Sequence, residues 1–153
     1  MQKKINILNK KARFDYEILD RFTAGIQLTG TEIKSIRESK ARITESFCEF
    51  NDRGELFIVN MYIEEYAFGH HFNHRTTTER KLLLNKKELR KLKKDVEAKG
   101  NTIVPLRLFL NEKGWAKLDI ALAKGKKTHD KRETIKERDT KRDLARIKKR
   151  FNP

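Results

Sequence analysis

Apolar and polar residues alternate along several short stretches of this chain, as they do in strands with one buried face. The cleanest alternation spans 116–122, where apolar residues occupy the even positions and Lys117 and Asp119 lie between them. Looser patterns predict six more extended segments, at 14–22, 26–28, 46–50, 55–60, 62–68 and 102–110. No helix separates these strands regularly, so the pattern favours an antiparallel arrangement over a doubly wound parallel sheet.

Two segments have helical periodicity instead. A Thr-x-x-Glu capping box that begins at Thr29 precedes a helix predicted over roughly 31–41. Asn85 begins a second box, and apolar residues three or four apart follow it until Gly100 ends the helix. These helices are too few to cover both faces of a large sheet.

Turn residues join the strands into hairpins. Segments 51–54 and 111–114 each end in Gly, which suits a tight loop between antiparallel strands. Pro105 lacks a ladder donor and predicts an edge strand or a bulge, and 69–80 is predicted to be an exposed loop. The elements together predict a mostly β fold, an OB-fold-like antiparallel barrel of six to seven strands with two or three helices.

The charge of the chain indicates a class of partner. Lys and Arg number 37 against 22 Asp and Glu, which gives a formal net charge of +15 and an isoelectric point near 10.0. Such a protein attracts phosphate-rich polymers, because each neutralised phosphate releases a counterion. An anionic membrane would be attracted as well, so charge alone leaves both partners open.

The C-terminal stretch carries much of this charge. Residues 124–153 contain thirteen Lys or Arg and five Asp or Glu, and few apolar residues. We therefore expect a barrel domain over 1–123 and a basic tail over 124–153 that is disordered when free. Its basic residues recur at helical spacing with supporting ion pairs, so the tail is predicted to become helical when bound.

Other residue counts narrow the class further. Cys48 is the only cysteine, so neither a disulfide framework nor a cysteine zinc site is expected. The first residues show no signal peptide, and nothing approaches the roughly 18 consecutive apolar residues of a membrane span. We expect a soluble cytoplasmic protein, most simply a monomer.

Residues for catalysis or metal binding are not evident. Cys48 lies in an apolar strand pattern typical of a buried thiol, and the chain has no P-loop, GxSxG or GxGxxG motif. His70, His71 and His74 share one loop but lack the further ligands of a zinc site. The expectation is a protein that is not an enzyme and needs neither cofactor nor metal.

Basic residues near strand ends and loops are the candidates for RNA contacts on the barrel. They are Lys10, Lys11, Arg13, Lys34, Arg37, Arg75, Arg80 and Lys81. The basic run over 86–94 is predicted instead to be the solvated face of the second helix. Tyr66, Phe68 and Phe72 are candidates for stacking on bases.

Five stretches of the chain resemble the family of the SsrA-binding protein, also called small protein B. They are 9–13 (Asn-Lys-Lys-Ala-Arg), 30–37 (Gly-Thr-Glu-Ile-Lys-Ser-Ile-Arg), 73–74 (Asn-His), 80–84 (Arg-Lys-Leu-Leu-Leu), and 124–132 (Lys-Gly-Lys-Lys-Thr-His-Asp-Lys-Arg) with 136–138 (Lys-Glu-Arg) after it. The stretches occur in the family's order and cover nearly the whole chain, which makes coincidence implausible.

The resemblance implies an OB-fold barrel that binds the tRNA-like domain of transfer-messenger RNA. The two would enter stalled ribosomes together in trans-translation, with elongation factor Tu as an indirect partner that delivers the charged RNA. The barrel would stand in for the missing anticodon arm. The tail would occupy the empty mRNA path near the decoding centre of the small subunit.

Site residues follow from the resemblance by position. RNA contacts are implied at Asn9, Lys10, Lys34, Leu83 and Lys117, and contacts with the decoding region at His129, Asp130, Lys131 and Arg132. The complete predicted barrel set adds Lys11, Arg13, Arg37, His74, Arg80, Lys81, Lys124, Lys126 and Lys127. The complete predicted tail set adds Lys136, Arg138, Arg142 and Arg146.

The chain departs from the family pattern at two places. Thr23 stands where family members often have a Glu with an RNA-related role, and 75–79 lacks the Pro that often follows Asn-His. Two other functions are possible for such a chain. A general basic RNA-binding or ribosome-assembly factor would bind many structured RNAs, and a membrane-surface protein would need a broad apolar face that the tail lacks.

Overall fold

Short strands make up most of the fold. A computed structural model describes residues 4–126. The strands are β1 (Asn6–Leu8), β2 (Tyr16–Ile26), β3 (Ala41–Arg42), β4 (Phe47–Phe50), β5 (Leu56–Val59), β6 (Tyr62–Ile63), β7 (Arg80–Leu83), β8 (Asn101–Leu110) and β9 (Ala116–Gly125). The helices are α1 (Lys10–Asp15), α2 (Gly30–Arg37) and α3 (Lys86–Val96), with a 3₁₀ turn at His70–Phe72.

Seven of the strands form one antiparallel sheet, which closes into a barrel. Their order is β1-β8-β4-β5-β7-β2-β9, and β8 also pairs with β9. This last pairing closes β8, β4, β5, β7, β2 and β9 into a ring, and β1 pairs with β8 outside that ring. The predicted OB-fold-like barrel is confirmed, and β3 and β6 pair separately as a small ribbon.

The barrel interior is filled by aliphatic side chains. Residues that are essentially inaccessible to solvent include Leu56, Ile58, Ile103, Leu108, Leu118 and Ile120. Helix α3 covers one opening through Leu92, and α2 contributes Ile36, each 0% exposed. The alternation predicted for 116–122 places its even positions in this core.

A second, smaller core lies on the outside of the barrel. Ala12 of α1 packs against Val104 and Leu106 of β8 and against Ala121 and Ala123 of β9. Strand β9 is therefore buried on both faces from residue 120 to residue 123. Small side chains at 121 and 123 let α1 approach the strand closely.

The predicted helix starts are also confirmed. Thr29 and Glu32 exchange both hydrogen bonds of the capping box at α2, and Asn85 accepts from the backbone N–H of Glu88 at α3. The hairpin loops close at Gly54 and Gly114, whose φ values of 78° and 80° favour glycine. Pro105 lies at a bulge and not at an edge, because β8 pairs on both sides.

Several predicted boundaries are wrong. Helix α1 was not predicted, because its six residues are too short to show a period. The segments predicted at 14–22 and 26–28 are replaced by one strand, Tyr16–Ile26, since Gly25 stays in the ladder opposite Lys117, and residues 14 and 15 belong to α1. Helix α2 ends at Arg37 rather than near 41, and Ser39 adopts a φ of 61°.

The loop region was also only partly anticipated. Only Tyr62–Ile63 of the predicted 62–68 segment is a strand. Strand β7 begins at Arg80, within the segment predicted to be a loop. None of the described helices combines the length and the apolar character needed to cross a membrane.

Candidate nucleic-acid interface

Two rows of outward side chains cross four neighbouring strands of the barrel. The first row is Leu8, Arg107, Asp119 and Thr23, and the second is Asn6, Phe109, Lys117 and Gly25. Opposite residues of antiparallel strands lie about 5 Å apart, so each row is a continuous surface. None of these eight residues is buried, and we call them the platform.

A bulge in β8 decides which side chains join the platform. The pairing of β8 with β9 shifts between Pro105 and Arg107, so Leu106 is the extra residue. Val104 and Leu106 both face α1, and in a regular strand Arg107 would then point into the barrel. The bulge reverses the alternation and turns Arg107 outward.

Asn9 stabilises this bulge through two hydrogen bonds to β8. Its side-chain amide donates to the carbonyl oxygen of Pro105 at 2.8 Å, and its backbone N–H donates to that of Leu106 at 2.9 Å. Its Oδ1 accepts from the N–H of Ala12 and caps α1. Asn9 is only 5% exposed and its hydrogen bonds support the platform, while the direct RNA contact that the resemblance implies stays a prediction.

A large open groove borders the first row of the platform. Its volume is about 1010 Å³. Its lining includes the cations Lys10, Arg13, Arg21 and Arg107, the carboxylates Glu88 and Asp119, and the apolar side chains Leu8, Phe22 and Leu106. The excess of positive charge suits a polyanion, and we call this the basic groove.

A second groove, of about 720 Å³, borders the other row. Arg37, Leu83 and Lys117 line it, as do Lys113 and Trp115 from the β8–β9 hairpin. Leu83 is 47% exposed and Trp115 is 67% exposed. The structure thus brings three predicted contacts together here, and Lys10 and Arg13 lie in the basic groove.

Arg80 has a different place from the predicted one. It is 3% exposed and pairs with Glu32 of α2. Its Nη atoms donate to the carbonyl oxygens of Met61, Arg75 and Thr76. Because its guanidinium is consumed by these contacts, Arg80 holds α2 and the loop against β7, and the prediction that it contacts RNA conflicts with its burial.

Two predicted lysines form ion pairs at the surface. Lys81 lies 2.6 Å from Glu55, and Lys11 lies 3.6 Å from Glu45. The hydrogen bond from Lys81 holds the pKa of Glu55 below its ordinary value. Both pairs are partly exposed, so an approaching phosphate could compete for either lysine.

Lys34 and His74 lie beside the loop that follows β6. The Lys34 ammonium is 5.5 Å from the centre of the Tyr66 ring. His74 lies between the Thr31 hydroxyl, 2.9 Å from Nδ1, and the Ile63 carbonyl oxygen, 3.0 Å from Nε2. A carbonyl only accepts, so Nε2 donates, and this geometry makes His74 a brace between α2 and β6.

The aromatic side chains of this loop are unevenly exposed. Phe72 is 90% exposed and Phe68 is 71% exposed, whereas Tyr66 is half-buried.

Cys48 is buried, as predicted, and burial raises the pKa of its thiol. Within residues 4–126, no group of three or more His, Cys, Asp and Glu side chains is placed to hold a metal ion.

Of the predicted contacts near the tail, the structure describes only Lys124 and Lys126, at the end of β9. Lys124 is exposed in β9, and Lys126 donates to the carbonyl oxygen of Arg13 at 3.2 Å. The remaining predicted positions, Lys127, His129, Asp130, Lys131, Arg132, Lys136, Arg138, Arg142 and Arg146, lie outside the described residues.

Several interface residues were not predicted. Arg21, Arg107 and Trp115 line the grooves, and Asp119 joins Arg107 to Thr23. The alternation in 116–122 placed Asp119 beside Lys117 on the outer face, which was a usable signal. Arg107 could not be placed in this way, because the side it faces depends on the bulge.

The SmpB protein family model matches residues 6–150 of this chain. SsrA-binding proteins of Flavobacterium psychrophilum and Bacteroides thetaiotaomicron are 70% and 58% identical, covering 99% and 97% of this chain and 100% and 99% of their own. A chain in a solved structure described as "tmRNA-SmpB: a journey to the center of the bacterial ribosome" is 49% identical. It superposes with a TM-score of 0.68 over 81% of this chain and 86% of that one. The chain therefore belongs to the SmpB protein family.

Proposed function

We propose that this chain binds the tRNA-like domain of transfer-messenger RNA and delivers that RNA to stalled ribosomes in trans-translation. The observation that carries the proposal is the platform, where residues from separate parts of the chain converge between two cationic grooves. The relatives supply the identity of the RNA, since they are SsrA-binding proteins and the similar solved chain is described with transfer-messenger RNA and the ribosome.

The barrel and the tail have separate roles in this proposal. The platform and its grooves select the RNA, and the tail after Lys126 follows the empty mRNA path near the decoding centre. Elongation factor Tu meets the protein only through the charged RNA. The protein acts in the cytoplasm as a binding factor without chemistry of its own.

RNA selectivity on the barrel is tested first. The affinity of the full chain is measured for transfer-messenger RNA and for ordinary tRNA across a range of salt concentrations. We expect a clear preference for the former at physiological salt. Equal affinity for many structured RNAs would support the general RNA-binding alternative, and strong flotation with anionic liposomes would support the membrane alternative.

The surface is tested with a matched pair of lysines. Lys117→Ala should weaken transfer-messenger RNA binding and reduce the slope of log K against log salt by about one, because one phosphate contact is lost. Lys94→Ala is the control, because it removes an exposed lysine from the solvated face of α3, away from the platform. It should change neither the affinity for transfer-messenger RNA nor the salt slope. Equal effects of both variants would count against a localised interface.

The division of roles is tested by shortening the chain after Lys126. This end point keeps β9 whole, whereas a cut after Ala123 would remove Lys124 and Gly125, which pair with Glu17 and Tyr16. The shortened protein should bind transfer-messenger RNA nearly as well as the full chain but fail to support tagging of stalled peptides. Normal tagging by this variant would refute the proposed role of the tail.

A further inference from the structure

Arg107 is held in one orientation by three neighbours on the platform. Its Nε donates to Asp119 Oδ2 at 3.0 Å, and its Nη1 lies 3.5 Å from Asn6 Oδ1. Its Cζ lies 4.0 Å from the centre of the Phe109 ring. An arginine stacked on a ring and paired with a carboxylate has lost its rotamer freedom before any ligand arrives.

Asp119 is itself fully engaged. Its Oδ1 accepts from the Thr23 hydroxyl at 2.8 Å, and Oδ2 accepts from Arg107. The network therefore crosses β2, β9 and β8 and fixes the plane of the guanidinium. It also neutralises the charge of Arg107, so attraction of a phosphate is not what distinguishes this side chain.

The free side of Arg107 faces the basic groove. That groove is lined by Arg107, Asp119 and Leu8, whereas Phe109 is not part of its lining. The guanidinium thus contacts the Phe109 ring and also borders the groove, which that ring does not line. The volume of about 1010 Å³ is at the upper end of the usual range for small-molecule sites, roughly 300–1,000 Å³.

The groove walls combine apolar and cationic groups in a way that matches a nucleotide. Leu8 is 49% exposed and lies directly opposite Arg107 in the ladder. Lys10, Arg13 and Arg21 line the same groove and have no role in the Arg107 network. A flat base can pack against the guanidinium plane while its phosphate meets these cations.

We propose that Arg107 is a base-stacking residue for an unpaired nucleotide of the bound RNA, and that Asp119 and Phe109 are its positioning residues. The proposal rests on the RNA-binding function above and adds a specific contact to it. Arg107, and not the lysines around it, would then favour RNA with an unstacked base over fully paired RNA.

Substitutions at Arg107 separate stacking from charge. The full chain is titrated with the tRNA-like domain of transfer-messenger RNA over a range of salt concentrations. Arg107→Ala should weaken binding about tenfold or more, as loss of one base stack does, with little change in the salt slope. Arg107→Lys should lose nearly as much, because it keeps the charge but not the plane.

Asp119→Ala should change the binding affinities for the tRNA-like domain and for a fully paired RNA duplex in opposite directions. Freeing the guanidinium should weaken binding of the tRNA-like domain, while the unpaired cation should strengthen binding of a fully paired RNA duplex. Phe109→Leu should weaken binding of the tRNA-like domain without strengthening binding of the paired duplex. Thermal unfolding of each variant, followed by circular dichroism, shows whether the barrel is intact.

The outcomes distinguish this inference from the proposed function. If Arg107→Lys kept the full RNA affinity and Arg107→Ala reduced the salt slope, Arg107 would contact a phosphate and the stacking proposal would be wrong. Unchanged affinity in folded Arg107→Ala, together with weaker binding in Lys117→Ala, would overturn the role of Arg107 but leave the function standing. Unchanged affinity in both variants would remove the platform as the RNA surface.

Discussion

Arg80 and Arg107 both pair with a carboxylate from another element, but their surroundings differ. The side chains of Arg80 and Glu32 are 2% and 4% exposed, whereas those of Arg107 and Asp119 are 39% and 27% exposed. Arg80 is buried with Glu32 and also donates to three backbone carbonyl oxygens, while Arg107 borders an open groove. An arginine–carboxylate pair therefore holds the fold together in one place and lies on the candidate interface in the other.

The largest effect on this comparison is expected from Arg80→Met. The substitution leaves Glu32 charged and buried and removes the donors to three backbone carbonyl groups. Loss of one partner from a buried pair typically destabilises a protein by about 3–5 kcal/mol. Urea unfolding measures this loss, and the midpoint should fall sharply.

The Arg80 result has an internal control. The double variant Arg80→Met with Glu32→Gln removes the stranded charge and should recover part of the stability. Recovery should stay incomplete because the carbonyl groups of Met61 and Arg75 still lack their Arg80 donor, whereas that of Thr76 keeps the N–H of Ile63. A stable Arg80→Met protein with weakened RNA binding would reverse our assignment and return Arg80 to the interface.

An intermediate effect is expected at Asn9, which connects the interior to the platform. Asn9→Ala removes the N-cap of α1 and the side-chain hydrogen bond to the Pro105 carbonyl oxygen at the bulge. The free energy of unfolding should fall by about 1–2 kcal/mol. It should also weaken RNA binding, because the bulge orients Arg107. Chemical denaturation and RNA titration measure the two effects.

Asn85→Ala is the matched control for Asn9. Asn85 caps α3 with the same kind of hydrogen bond but has no contact with the bulge. It should lose stability through the cap alone, about 1 kcal/mol, and keep its RNA affinity. If Asn85→Ala weakened RNA binding as much as Asn9→Ala did, the loss could not be attributed to the bulge.

The smallest effect is expected at the exposed pair of Asp20 and Lys91, which are 2.9 Å apart. The hydrogen bond from Lys91 lowers the pKa of Asp20. The pair therefore stabilises the fold above the ordinary pKa of an aspartate, and this contribution disappears as the pH falls through the lowered value. NMR titration of Asp20 in Lys91→Met should show its pKa returning upward, with little change in the unfolding midpoint.

Local patterns were enough to predict much of the barrel. The alternation in 116–122, the capping box at Thr29, the N-cap at Asn85 and the hairpin loops each depend on neighbouring residues, and the structure confirms them. Helix α1 was missed because six residues are too few to establish a period, and the four residues of β7 lack the hairpin loop that identified the equally short β4 and β5.

The interface was harder to predict for a different physical reason. Arg80 and Arg107 look alike in the sequence, and only tertiary packing separates a buried clamp from an exposed one. The burial of Asn9 likewise depends on contacts with residues almost a hundred positions away. The resemblance implied RNA contacts at Leu83 and Lys117, which line one groove and stay predictions, but it could not assign a role to Asp119.

Strand β9 also sets a distance. Asp119 belongs to the platform and Gly125 ends the strand six residues later, which corresponds to about 20 Å of extended chain. Pairing with β2 and β8 keeps this length rigid, and the N–H of Lys126 is tied to the carbonyl oxygen of Asp15. The platform and Lys126 are thus held at a constant spacing, so in the proposed function β9 would fix the distance between the RNA-binding surface and the residues that follow Lys126.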